Sequence, residues 1–336
     1  MMHRIIVAGC GAMSDRWIEI AGTYDDCEIV ALVDINKETA NARKQKHSLT
    51  ANVYTNIAEA LKKENANLVF DITIPEVHFE VVTTALKAGC HVFGEKPMSD
   101  SLENAEKMVM CANETNSEYF VMQNRRYIPR LFALKNFLQS QKPGNIGQIS
   151  ANFQLGPHFG GFREEIDSPL ISDMAIHTFD AARFITGKNA VSVYSHEFNP
   201  SWSWYKGSAS AVCIFEMEDG SVFDYRGSWC ANGLNTSWES EWRIACANGA
   251  VFYDGAEKMY YGSADDANRT SSTEEILPIQ MKLEGHSACV KEMFDALKNG
   301  TRPQTDCRDN INSIKMVYKA VESARCGKQV SFSKET

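Results

Sequence analysis

Arg4-Ile5-Ile6-Val7-Ala8-Gly9-Cys10-Gly11-Ala12-Met13-Ser14 joins a β-branched, strand-like run to a turn with two glycines and then to a helical pattern. In a strand–turn–helix of this kind Gly9 permits the tight turn and Gly11 lets a ligand approach the backbone. The first amides of the helix, at Ala12 and Met13, then have no partner in their own helix and face an anion. The third glycine that usually completes such a turn is replaced by Ser14, which either loosens the packing of the helix or adds a hydroxyl donor.

Asp34 follows Ser14 by twenty residues and ends the next apolar run. A carboxylate there has two readings. It accepts both hydroxyls of a ribose, which marks a dinucleotide site and repels a 2′-phosphate, or it merely caps the helix that follows. The first reading makes NAD the expected cofactor, with NADP as the alternative because Lys37 stands close by.

Outward from this point the same alternation continues. Candidate strands are Arg4–Ala8, Glu28–Asp34, Leu68–Ile74, Cys90–Gly94 and Tyr119–Gln123. Helical patterns fall around Met13–Tyr24, Lys37–His47, Asn56–Glu64, Val77–Ala88 and Ser101–Asn113, with Ala88-Gly89 as a stop for the fourth. Short strands alternating with helices predict parallel βαβ units.

After Gln123 the pattern changes. A helix near Ile128–Ser140, a strand near Gln148–Leu155 and a helix near Ser172–Thr186 precede paired alternating runs. Glu218-Asp219-Gly220 and Ala247-Asn248-Gly249 separate those runs and predict hairpins in a mainly antiparallel sheet. Two helices, near Ser287–Asn299 and Cys307–Cys326, close the chain, and polar Asp265–Glu275 reads as a loop.

Composition removes several classes of function. The 336 residues amount to roughly two domains at ~100–200 each. With 44% hydrophobic and 23% charged residues they have no disordered or fibrous bias. A net charge of −9 offers no basic footprint for nucleic acid. No apolar run approaches the ~20 residues that span a bilayer, so no membrane partner is expected and the location reads as cytoplasmic. The ten cysteines are scattered without CxxC spacing, and several stand in apolar runs, so they are expected to be reduced and structural, with no metal.

Two further constellations carry chemistry. Glu95-Lys96-Pro97 ends the fifth strand, at the sheet edge where open α/β folds bind ligands, and Pro97 keeps Lys96 extended. Lys96 is either a donor to a reacting hydroxyl or an ordinary solvated lysine. Asp173 and His177 lie four apart in a helical pattern and so share a face. They are a carboxylate and general base for a carbinol, or a capping aspartate with a core histidine. Between Gly156 and that helix, His158, Arg163, Glu164 and Glu165 form a polar loop suited to hydroxyl recognition. Trp202, Trp204, Trp229, Trp238 and Trp242 are either faces for a sugar ring or core.

With these residues in view, the chain resembles the glucose-fructose oxidoreductase / inositol dehydrogenase family. The likeness runs from Ile5 to about Phe332. It includes the Gly9/Gly11 turn, Asp34, Ile74-Pro75 with His78, Glu95-Lys96-Pro97, Arg125-Arg126-Tyr127, Gly147-Gln148-Ile149, Asp173 with His177, and Glu322-Ser323-Ala324-Arg325.

The resemblance implies an N-terminal Rossmann domain (1–123), then an α/β domain (124–336) with a large open, mainly antiparallel sheet used for substrate and for a homodimer or homotetramer. It implies a catalytic set: His177 as acid/base, Lys96 polarising the reacting oxygen and Asp173 positioning the hydroxyl. Hydride would pass between nicotinamide and a sugar, inositol or related polyol. Thr73, Ile74, Pro75, His78 and Glu95 would line the cofactor, while Asn124 and Arg125 border cofactor and substrate; His78 reads equally as a helix-start residue without chemistry. The family also holds NAD-dependent glycosidases that oxidise transiently. A nucleotide sensor has no need of Lys96, Asp173 and His177.

Overall fold

The opening run forms β1 (His3–Ala8), and the glycine turn leads into α1 (Ser14–Ala21). In the computed structural model, which describes residues 2–264 and 272–333, the alternation then continues. It runs through β2 (Cys27–Val33), α2 (Lys37–Lys46), β3 (Asn52–Tyr54), α3 (Ile57–Lys63), β4 (Leu68–Asp71), α4 (Pro75–Lys87), β5 (His91–Gly94), α5 (Leu102–Glu114) and β6 (Tyr119–Val121). All six strands pair in parallel, in the order β3-β2-β1-β4-β5-β6. The order reverses between β1 and β4, and the carboxyl ends beside that switch point are where such sheets take ligands.

Local chemistry fixes the boundaries. The side chain of Asn36 accepts from the amides of Glu38 and Thr39 at the start of α2, while Asn56 and Ser101 cap α3 and α5. Beyond α4, Gly89 takes φ +83°, the left-handed stop expected of Ala88-Gly89. β3 is an addition to the sequence reading: three residues pairing only with β2 are too short for a periodic signal.

The next elements are α6 (Pro129–Gln139), β7 (Ile146–Gln154), α7 (Phe162–Glu165), a π-helical turn over Leu170–Ala175, and α8 (Ile176–Thr186). After them come β8 (Ala190–Phe198), β9 (Ser210–Met217), β10 (Val222–Ser228), β11 (Glu241–Cys246), β12 (Gly249–Tyr253), β13 (Met259–Ser263), β14 (Thr273–Glu275), α9 (Gly285–Asn299), α10 (Cys307–Cys326) and β15 (Val330–Ser331). The nine-stranded sheet has the order β14-β13-β12-β11-β7-β10-β9-β8-β15. Among the described residues of this sheet only β7 and β10 pair in parallel. Of the expected loop Asp265–Glu275, residues 265–271 lie outside the described residues, and Thr273–Glu275 is a strand paired with β13.

The chain falls into two compact units. One holds residues up to Asn124 with His286–Ile314; the other holds Arg125–Gly285 with the residues from Lys315 on. The single division expected at residue 123 is thus corrected, because the chain returns to the first unit. Phe70 stacks on Phe93 and Phe93 on Phe120 across neighbouring strands, at 5.7 Å each. Phe294 of α9 packs against His3, Tyr24, Phe70 and Phe93. A helical pattern shows which face is apolar but not which sheet it covers, and this explains the missed return.

In the second unit every residue of α8 from Ile176 to Ile185 is buried. Phe179 meets Phe215, Phe223 and Tyr225 edge to face. Asp180 on the same helix is tolerated because Arg126 donates to both its oxygens at 2.7 Å, as a buried charge requires. All ten cysteines are free. Among the described residues no helix is long and apolar enough to cross a membrane, and no cluster of three or more His, Cys, Asp or Glu could hold a metal.

Candidate active site

In the first unit the glycine turn has little freedom. Gly9 takes φ +87°, and a Cβ there would lie 2.4 Å from the carbonyl oxygen of Ile72. At Gly11 a Cβ would meet nothing within 4 Å, so the space above the turn is open. The Ser14 hydroxyl donates inward to the Gly11 carbonyl at 2.7 Å and braces the turn. Asp34 accepts from the amides of Cys10 and Asn36, each at 2.9 Å. Since Asn36 caps α2, Asp34 is not the cap, and its carboxylate is held against the glycine turn instead.

These residues fit a dinucleotide on a second, independent ground. Ile35 is 95% exposed just beyond β2, and Met13 and Ile74 are also exposed, in the connections that follow β1 and β4, the two strands flanking the switch point. Apolar side chains left bare at that edge are surfaces for flat ring systems, and Ile35 had no signal of its own beyond following Asp34.

At the end of β4 the fully buried Asp71 accepts from the Thr73 amide (3.2 Å), the Thr73 hydroxyl (2.6 Å) and His78 Nδ1 (2.7 Å). Burial works to lower the His78 pKa, but the Asp71 carboxylate, helped by Glu95 and Glu76, outweighs it and raises the value. His78 is therefore an ion-pair partner inside α4 that anchors Thr73. Glu95 accepts the indole N–H of Trp17 at 2.7 Å and the Lys96 amide at 3.2 Å. The Lys96–Pro97 peptide bond is cis. Asn124 opens a short 3₁₀ turn, with its Nδ2 3.4 Å from Nδ1 of His286.

In the second unit the π-helical turn carries Asp173, and α8 follows with His177, which is 8% exposed. The expected regular helix from Ser172 is thereby corrected at its first turn; single π turns of this kind concentrate at functional sites. Arg163 Nε donates to Asp173 Oδ2 at 2.6 Å, which brings together two residues read separately from the sequence. Arg125 hydrogen-bonds the Trp238 carbonyl, lies over the Trp238 ring at 5.8 Å, and meets Glu239 at 3.4 Å. Burial lowers the Arg125 pKa, opposed by Glu239 and Asp173, and burial raises that of Glu239, opposed by Arg125.

Aromatic rings surround this cluster. His158 stacks on Trp204 at 3.7 Å, Phe159 packs on Trp229 and Trp238, and the Arg163 guanidinium lies 5.6 Å from the Phe159 ring. Burial, with Glu164 and Asp173, pushes the Tyr205 hydroxyl up to about 12, and that hydroxyl donates to Pro157 O. The tryptophans divide by burial: Trp229 and Trp242 are core, whereas Trp202 and Trp238 are exposed. Glu164 accepts from the Gly160 amide and so shapes its own loop, and Glu165 meets Lys206 at 3.9 Å on the surface. The second unit also has a cavity of about 750 Å³, lined in part by Arg130, Glu257, Gln280 and Lys282, which includes none of the expected site residues.

A parallel sheet with its glycine turn, a braced strand-end carboxylate and bare apolar positions along its carboxyl edge defines a nucleotide-binding enzyme of the Rossmann class. The model of an oxidoreductase family with an NAD-binding Rossmann fold matches residues 3–123, and that of the GFO/IDH/MocA C-terminal domain matches residues 132–252. The chain belongs to the GFO/IDH/MocA family of oxidoreductases, and it is an NAD-binding enzyme.

It is 26% identical to D-apiose dehydrogenase of Paraburkholderia graminis over 96% of this chain and 88% of that one. Among solved structures, an oxidoreductase from Agrobacterium radiobacter in complex with NAD+, L-tartaric acid and magnesium superposes with a TM-score of 0.87 at 19% identity, covering 98% of each chain. Levoglucosan dehydrogenase in complex with NADH gives 0.84 at 16% identity, over 99% of this chain and 100% of that one.

Proposed function

We propose that the chain is an NAD-dependent dehydrogenase or reductase acting on a CH–OH group of a sugar, inositol or related polyol. The observation that carries this reading is the Arg163–Asp173 pair, whose aspartate stands one turn before His177 and whose guanidinium lies over the exposed Phe159 ring. Fixed polar groups beside rings suit a polyhydroxylated ring, which offers hydroxyls at its edge and C–H bonds on its face. D-apiose and levoglucosan, named for the relatives, belong to this chemical class and support it.

Gly9, Gly11, Ala12 and Met13 would hold the pyrophosphate, Asp34 the ribose, and Thr73, Ile74, Pro75, Glu95, Lys96, Asn124 and Arg125 the remaining length, with the buried His78 acting through Thr73. Bound there, the cofactor supplies the hydride acceptor or donor. His177 takes or returns the carbinol proton, Lys96 hydrogen-bonds the reacting oxygen, and Asp173, held in place by Arg163, accepts a substrate hydroxyl. Arg125, His158 and Arg163 contact the other hydroxyls. Asp34 favours NAD over NADP by charge. Exposed Tyr194, Phe198, Val212 and Ile214 on β8 and β9 support assembly into a homodimer or homotetramer through the open sheet, and the free thiols support a reducing, cytoplasmic setting.

A panel of polyols and ketosugars, followed by the absorbance of reduced nicotinamide, tests the reading. Loss of the acid/base group in His177→Ala is expected to lower kcat ~10²–10⁴-fold. A wild type that binds NAD but turns over no member of the panel, indistinguishable from Lys96→Ala in every assay, overturns the catalytic assignment. Release of product from a glycoside without accumulating NADH moves it to a glycosidase. Light scattering reads the oligomeric state.

A further inference from the structure

We propose that Asp15 sets the choice between NAD and NADP by holding Arg43 and Lys46 of α2 away from a ribose 2′-phosphate. The proposal rests on the glycine turn and Asp34 forming the adenosine-ribose site. Asp15 is the second residue of α1, directly after that turn. Its carboxylate is paired with the Arg43 guanidinium, with Lys46 Nζ at 2.8 Å and with His47 Nε2 at 2.6 Å, all from the end of α2.

Arg43 is engaged on its other side as well. Its Nε and Nη2 donate to the Cys10 carbonyl at 3.3 and 3.1 Å, and Nη2 donates to the Gly11 carbonyl at 2.9 Å. The amide of Cys10 donates to Asp34. Arg43 and Asp34 therefore meet one and the same loop residue, the first at its carbonyl and the second at its amide.

An arginine in this neighbourhood is what usually accommodates a 2′-phosphate. Here α2 and the residue after it carry Lys37, Arg43, Lys44, Lys46 and His47, a cationic stretch that would suit the phosphorylated cofactor. Asp15 takes up the far end of that stretch and leaves Lys37 and Lys44 outside the pairing: the carboxylate holds Arg43 Nη1, Lys46 and His47, while the loop carbonyls take Arg43 Nε and Nη2. The pairing also serves the pyrophosphate. A bare carboxylate in the first turn of α1 would repel it, whereas one compensated by Arg43 and Lys46 does not.

Calorimetric titration of NAD+ and NADP+ into wild type, Asp15→Asn, Arg43→Gln and the double variant tests the proposal, with Asp34 present throughout. Asp15 reaches the surface and asparagine keeps its shape, and a thermal melt confirms folding before each titration. In Asp15→Asn the ratio of NADP+ to NAD+ affinity is expected to rise at least ~10-fold, the gain for one compensating charge near a phosphate dianion. The double variant is expected to lose most of that rise. A ratio within twofold of wild type in Asp15→Asn, or a rise undiminished in the double variant, overturns the role of Asp15 while leaving the dinucleotide site intact. Wild type that binds neither nucleotide overturns the site and the proposal together.

Discussion

Replacing His78 with leucine takes one member out of a buried ion pair and strands the other. Asp71 is 0% and His78 1% exposed, at 2.7 Å. Removing one partner of such a pair costs about 3–5 kcal/mol, because the remaining charge loses its compensation without regaining water. In His78→Leu the Asp71 carboxylate keeps the amide and hydroxyl of Thr73, so the cost falls at the lower end, about 3 kcal/mol, which is over a hundredfold in an opening equilibrium. The pH dependence has a definite sign. The His78 pKa is raised above 6.5 in the folded chain, so folded protein binds more protons than unfolded between the two values. The stabilisation from protonated His78 is complete below 6.5 and is lost as pH rises through the folded value. Urea-dependent amide exchange of peptides from β4 and α4, read by mass spectrometry at pH 6 and pH 9, measures the gap between wild type and variant. It should be widest at pH 6. A gap below about 1 kcal/mol at pH 6, or one that grows towards pH 9, would refute the reasoning.

Gly9→Ala places a Cβ against the Ile72 carbonyl in a backbone conformation that alanine resists; the variant should still fold but bind NAD+ at least ~100-fold more weakly by calorimetry, a loss of about 3 kcal/mol. Phe294→Ala removes a ring packed on four others and should destabilise the first unit by about 3–5 kcal/mol, seen in exchange of β4 and β5 but not of β9 and β10. Burial raises the Glu197 carboxyl to about 7, with Ser168 as a donor to Oε2 and, among the described residues, no hydrogen-bond partner for Oε1. A raised carboxyl makes the fold bind extra protons between its ordinary value and 7, so stability falls as pH climbs through that window. Glu197→Gln should therefore melt a few degrees above wild type at pH 8 and show no such advantage at pH 4.5, and the reverse order would contradict the assignment.

What could be read from the sequence was whatever depends on neighbours in the chain. The turn from Gly9 to Ser14, the strand-end carboxylate at Asp34, the stop at Gly89 and the hairpin turns at Gly220 and Gly249 are each decided by the backbone within a few residues, and all stand in the structure. The division of labour among distant side chains was not legible. Trp229 and Trp238 look alike as letters, yet one is core and the other is exposed. Arg163 and Asp173 meet only because the chain turns back between α7 and the π turn. Asp71 had no motif to announce it, since it works through His78. β8, nine residues long, went unread although its exposure alternates along much of its length.

The return of His286–Ile314 to the first unit also governs the order in which the protein is made. When Asn124 leaves the ribosome, Phe70 and Phe93 still lack the ring that covers them, and the nascent nucleotide-binding sheet has one greasy face open. A further 170 residues must be synthesised before Phe294 exists, on the order of 10–30 s at ordinary translation rates. During that interval the second unit's hairpins emerge beside an unfinished neighbour. The first half of this chain to be translated is among the last parts to be completed, and that places the window for chaperone capture and for aggregation in the middle of synthesis.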